Sequence, residues 1–188
     1  MRIEAPLQPR IVFLNGPPRS GKDETGRIMA SVCPHVTLMK FAQPLIDTMT
    51  SSFGVSCVDG VDKMAPCSEL FGRNRRETAI SLSEDFYKPM FGDDVFGKIA
   101  LQRSVKVDPT KTIVFTDSGF RSEAEPIIGH YLSASIEMVT ISRPGTTFDN
   151  DSRSYWRHNK IKSNRVVNSG SYEDLEQQVY ALMESWRL

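Results

Sequence analysis

The sequence predicts an α/β domain built on a parallel five-stranded sheet. Short apolar, β-rich runs alternate with helical patterns along the chain, which is the signature of parallel strands joined by crossover helices. The runs are IVFLN at 11–15, VTLMKF at 36–41, TIVFTD at 112–117, IEMVTI at 136–141 and RVVN at 165–168. With 188 residues and 39% hydrophobic content, the chain can bury one sizeable core, so a single domain spanning 1–188 is expected.

Each element has a local reason. The first run leads through GPPRSGK into a helix from Lys22. About seventy residues separate the second and third runs, too many for one crossover. Helix-compatible segments fall at 44–53, 75–87 and 93–104, which marks 42–104 as an inserted helical region. After the fourth run, SRPGTTFDNDSRSYWRHNK is rich in Gly, Pro, Asn and Asp breakers and in cations. It reads as a mobile, lid-like flap over 143–162 rather than as core. At the end, Ser171 is a predicted N-cap with Asp174 three residues on, and Leu175, Val179, Leu182 and Met183 form the apolar face of a closing helix.

Charge and cysteine content exclude several classes. The 23 basic residues balance 23 acidic ones, so no overall field draws nucleic acid or an anionic membrane. Cys33, Cys57 and Cys67 lack metal-ligand spacing, and the start MRIEAPLQPRIVFLNG has no leader-like apolar core. No apolar run approaches the ~20 residues needed to cross a bilayer. The expectation is a reduced, cytoplasmic chain without nucleic-acid or membrane partners; a homodimer is left open.

The chemistry-bearing motif is GPPRSGKD. Gly16 opens a loop after an apolar strand, Gly21 lets the backbone approach an anion, and Lys22 begins a helix whose free N–H groups face it. The expected ATP-binding set is Gly16, Arg19, Ser20, Gly21, Lys22, Asp23 and Glu24. Where the usual motif has a hydroxyl for Mg²⁺, this chain has Asp23, a suitable hard-cation ligand or, alternatively, a residue that favours the helix N-terminus. Thr25, two residues along the helix from Asp23, is turned away. Asp117, at the carboxyl end of the third strand, is the second expected metal ligand and a catalytic candidate; its alternative is to cap the helix starting near Phe120.

Two polyanions held together need cations beyond Lys22. Arg73, Arg75 and Arg76 stand in the insert, Lys88 follows in FYKP, and Arg143, Arg153 and Arg157 lie in the flap. Lys22, Asp117 and Arg143 are the catalytic candidates. Lys40, Phe41, Arg73, Arg76, Lys88 and Arg153 are the candidates for the acceptor.

With these residues in place, the chain resembles the phage deoxynucleoside monophosphate kinase family, within the P-loop nucleoside monophosphate kinases. GPPRSGKD is similar to its phosphate loop, Asp included. FAQPL at 41–45, RRETAISLSEDFYKPMFGDDVFGK at 75–98, TDSGFRSEAE and FDNDSRSYW are similar to its later motifs. The resemblance implies a three-layer P-loop kinase fold, an inserted monophosphate-binding region and a lid. It also implies transfer of the γ-phosphoryl group of ATP to a deoxynucleoside monophosphate. The RVVNSGS turn would pass near the adenine. Some relatives read Asp-x-Arg-Phe where this chain has Asp117-Ser118-Gly119-Phe120, with Arg121 as the nearby replacement. Rival readings are another small-molecule kinase, such as an animal-type phosphomevalonate kinase, and a non-enzymatic nucleotide-binding switch or packaging component.

Overall fold

The structure, a computed structural model, describes residues 8–56, 62–149 and 151–186. Five strands form one sheet: β1 (Arg10–Asn15), β2 (Val36–Met39), β3 (Thr112–Phe115), β4 (Ile136–Ser142) and β5 (Lys162–Val167). All neighbours pair in parallel, in the order β2-β3-β1-β4-β5. Strand order reverses beside β1, so the carboxyl ends of β1, β3 and β4 flank the crevice where open α/β sheets take ligands.

Alternate side chains on each strand face opposite layers. Val12, Leu14, Val114, Val139, Ile141 and Val166 pack beneath α1 (Lys22–Val32) and α7 (Tyr172–Ser185). Ile11, Phe13, Ile113, Phe115, Ile136 and Met138 face the other layer, with α5 (Val95–Ser104) and α6 (Arg121–His130). Burying each such side chain stabilises by roughly 1.5–3 kcal/mol. The closing helix starts as expected: Ser171 and Asp174 form a reciprocal capping box.

The insert divides into two parts. Between β2 and β3 lie α2 (Gln43–Phe53), α3 (Arg75–Ser81) and α4 (Lys88–Phe91), with a π-helical stretch, Leu82–Tyr87, joining the last two. Met49, Val55, Cys67 and Leu70 give this region a small core of its own. In contrast, α5 buries Val95, Phe96 and Ala100 in the main core, so the end of 42–104 belongs to the sheet layer rather than to the insert.

Several boundaries differ from expectation for traceable reasons. β2 stops at Met39 instead of continuing to Phe41, because the N–H groups of Phe41 and Ala42 are drawn to the Asp117 carboxylate. β3 stops at Phe115, and β5 begins three residues early, at Lys162, by pairing along β4. The flap expectation fails at its distal half. Trp156 is buried, packs 5.8 Å from the Phe13 ring centroid, and donates to the Ser118 carbonyl, which fixes residues 154–156 against the core. Among the described residues no helix is long and apolar enough to cross a membrane. Cys33 and Cys67 are free thiols; Cys57 lies outside the described residues.

Candidate active site

The loop between β1 and α1 is shaped by two left-handed residues, Arg19 at φ 64° and Gly21 at φ 103°. At Gly21 a side chain would also meet Asn168 Nδ2 at 2.5 Å. That amide, from the turn after β5, donates to the Ser20 carbonyl at 3.0 Å and props the loop from behind. The turn after β5 therefore meets the phosphate loop. The first turn of α1 leaves N–H groups without intrahelical acceptors, and no side chain caps them. Ser20 Oγ is buried without a hydrogen-bond partner among the described residues, as are the hydroxyls of Thr25, Thr116 and Ser118 and Asn15 Oδ1. Such groups cost free energy unless a ligand or water satisfies them.

Lys22 folds over this loop and donates to the Gly16 and Pro17 carbonyls at 2.6 and 2.7 Å. Burial lowers its pKa from 10.5 to about 8, helped by the Arg153 guanidinium and opposed by Asp23, Asp117 and Asp151. Lys22 and Arg153 are thus cations sharing one crevice, which an anion between them would relieve. Asp23 is exposed on the rim, 3.7 Å from Lys40 Nζ. The side chain of Glu24 turns along α1 to pair with Arg27, away from the loop.

Asp117 does not cap the helix near Phe120. Its two oxygens accept from the N–H groups of Phe41 at 2.9 Å and Ala42 at 3.0 Å, tying the end of β3 to the start of α2. Burial raises its pKa, with the Asp23 charge in the same direction, while the two N–H groups and Lys40 oppose the rise. Any metal contact must share oxygens that are already accepting hydrogen bonds.

The acceptor candidates separate into two groups. Arg76, Lys88 and Arg153 converge. Arg153 binds the Asp151 carboxylate through Nε and Nη2, Arg76 Nη2 lies 3.6 Å from the same carboxylate, and Lys88 sits over the Phe120 ring at 5.0 Å while pairing with Glu84. Lys40 lies beside Asp23 instead, and Phe41 and Arg73 do not join them, nor does the catalytic candidate Arg143. Phe41 is a core residue, stacked on Phe115 at 4.5 Å, because the Asp117 clamp turns its ring inward. Arg73 and Arg143 are exposed on turns.

Two carboxylates of the crevice went unnoticed in the sequence. Asp151 lies in a breaker-rich stretch where acids are ordinary. Glu123, on the first turn of α6, is buried; burial and the Asp117 charge raise its pKa to about 8 against the pull of Lys88 and Arg153. The space over Gly119 is taken by another residue. A side chain at Gly119 would meet Arg153 Cδ at 2.3 Å, so the Arg153 stem lies in that space. Arg121 points away to Glu125. A recess of about 730 Å³, bordered by Tyr155, Trp156, Arg157 and Arg165, lies over β4 and β5, apart from the phosphate loop.

No family model matches the sequence, and no curated protein matches it significantly. Solved structures do. An APS kinase from Mycobacterium tuberculosis, in complex with AMPPNP and APS, is 14% identical with a TM-score of 0.50, over 95% of this chain and 99% of that one. The chain has the fold of a phosphate-loop kinase. A dephospho-CoA kinase from Campylobacter jejuni (15% identity, TM-score 0.46, 93% of this chain and 95% of that one) is also similar. So is a thymidylate kinase from Candida albicans (10% identity, TM-score 0.44, 96% and 93%).

Proposed function

We propose that the chain is a deoxynucleoside monophosphate kinase that moves the γ-phosphoryl group of ATP to a deoxynucleoside monophosphate. The observation that carries this reading is the shared crevice: the Arg153 charge reaches Lys22 at the phosphate loop, and Arg153 and Arg76, the latter from the helical insert, meet on Asp151. One cation belongs to a triphosphate cradle, and the other two belong to segments placed to hold a second anion. The motif resemblance names that anion as a nucleoside monophosphate.

In this reading the N–H groups of the first α1 turn, with Gly16, Arg19 and Ser20, hold the ATP phosphates, and Lys22 spans the terminal pair. Its hydrogen bonds to the Gly16 and Pro17 carbonyls are exchanged for phosphate oxygens. Asp23 fits a Mg²⁺ site as a single exposed carboxylate, since Mg²⁺ takes most of its ligands from water and phosphate. A Mg²⁺ held by Asp23 would supply neutralisation of the triphosphate charge. The attacking group is a phosphate oxygen that is already anionic, so no general base is needed, and catalysis reduces to positioning and charge neutralisation. Asp117 then serves by fixing the start of α2 against β3, and Lys88 and Arg153 by orienting the acceptor. Arg143 reaches the transferring group only if its turn closes.

A coupled ADP-release assay across the deoxy- and ribonucleoside monophosphates tests the reading. Monophosphate-dependent ADP release with at least one deoxynucleotide is expected. ADP release that no monophosphate stimulates would favour the nucleotide-binding switch, and stimulation only by phosphomevalonate would favour the other kinase class.

A further inference from the structure

Asp151 stands where the insert, the lid segment and the end of β3 meet. Its side chain is 6% exposed. Arg153 grips it with two parallel bonds, Nε to Oδ1 at 2.8 Å and Nη2 to Oδ2 at 2.6 Å, and the Arg153 backbone N–H adds a third to Oδ1 at 3.0 Å. From the insert, Arg76 Nη2 approaches Oδ2 at 3.6 Å. Two guanidinium groups, distant in sequence, therefore converge on one small anion with two oxygens. Forked guanidinium donors are equally suited to a phosphate monoester.

The position of this cluster is as informative as its geometry. The Arg153 stem fills the space over Gly119, which holds its guanidinium beside the end of β3. From there its charge acts on Lys22, Asp117 and Glu123. A carboxylate in that place fills the position that the acceptor phosphate requires.

We propose that Asp151 is a built-in stand-in for the acceptor phosphate: it occupies the Arg76–Arg153 pair when no acceptor is bound and gives the pair up to the monophosphate. The inference rests on the acceptor reading of Arg76 and Arg153 and adds an internal competitor to that site. A monophosphate carries about −1.5 to −2 near neutral pH against −1 for the carboxylate, so it wins the exchange at adequate concentration. The competitor lowers apparent affinity by the fraction of time the pair is taken. It also gives acceptor binding a mechanical consequence. Releasing Asp151 frees the segment that Asp151 N–H anchors to the Phe148 carbonyl and leaves Arg153 to turn toward the transferring group.

The test uses the full chain. dAMP, dCMP, dGMP and dTMP are each titrated calorimetrically into wild type and Asp151→Asn, with Asp151→Ser as the second variant should the amide fold poorly. At least one monophosphate is expected to bind the variant about tenfold more tightly, as when a pair occupied nine-tenths of the time is freed. Equal or weaker binding to the variants, with wild type binding normally, would overturn the stand-in role and make Asp151 an orienting partner of the arginines. No binding of any of the four to wild type would overturn the acceptor reading itself, and the inference with it. A second measurement needs no variant: hydrogen exchange at the Arg153 amide should speed up when the bound monophosphate displaces Asp151. Slower exchange on binding would contradict the displacement.

Discussion

The two halves of the crevice are built by different means. The proposed donor half is local: a strand end, a loop and a helix start, residues 15–24, make a concavity out of backbone, held from a distance by Asn168 and, through Asn15, by the Ser118 and Ser154 carbonyls. The proposed acceptor half is assembled from side chains on separate elements: Arg76 on α3, Lys88 on α4, Glu123 on α6, and Asp151 and Arg153 between β4 and β5. Backbone donors fixed by consecutive residues tolerate drift in everything around them. A charge network spanning four segments depends on each segment being placed.

The largest expected effect breaks the donor half. Lys22→Ala should lower kcat by about 10²–10³-fold or more, as removal of a donor aimed at developing charge does elsewhere, while circular dichroism shows the fold retained. In wild type, kcat/KM for ATP should fall as pH rises through about 8, where free Lys22 loses its proton. A flat profile between pH 7 and 9.5 would show that the lysine charge is not used.

A middle-sized effect sharpens the contrast through Glu123. Its folded pKa is raised from 4.5 to about 8, so between those values the native state holds a proton that the unfolded state has lost. Stability from this group is full below pH 4.5 and is lost as pH rises through 8, with a slope of up to about 1.4 kcal/mol per pH unit. Glu123→Gln should flatten the fall in urea midpoint between pH 5 and 8. Parallel curves for wild type and variant would show that Glu123 titrates normally.

The smallest effect concerns Asp23. No side chain caps α1, and the Asp23 carboxylate pairs with Lys40 on the surface, so Asp23→Ala should change stability by less than about 1 kcal/mol. If it holds Mg²⁺, the variant should need several-fold more metal for half-maximal rate, and Asp23→Ser should recover most of that. An unchanged metal curve would leave Asp23 with electrostatics alone.

Legibility in the sequence follows the same division. GPPRSGK after IVFLN specifies strand, loop and helix through short-range rules, and the Ser171–Asp174 box marks α7 in the same way. The roles of Phe41 and Asp117 were not legible, because they depend on each other across the fold: the Asp117 oxygens bend the chain at Phe41 and bury its ring. Nor was the anchoring of Trp156, since loop composition signals breakers and not the Phe13 surface waiting for an indole. Arg153 was legible as a cation, but its placement over Gly119 was not, because the cue was an absent side chain far away in sequence.

Calorimetric titration of Arg76→Ala with ATP and, separately, with the best deoxynucleoside monophosphate acceptor tests most directly whether the two halves hold two different ligands. Arg76 is 44% exposed, so its removal should leave the fold intact. Affinity for the monophosphate should drop about tenfold or more, the cost of one charge-assisted contact, and affinity for ATP should stay within about twofold. Equal losses for both ligands, or none for either, would contradict the division of the crevice into donor and acceptor sides.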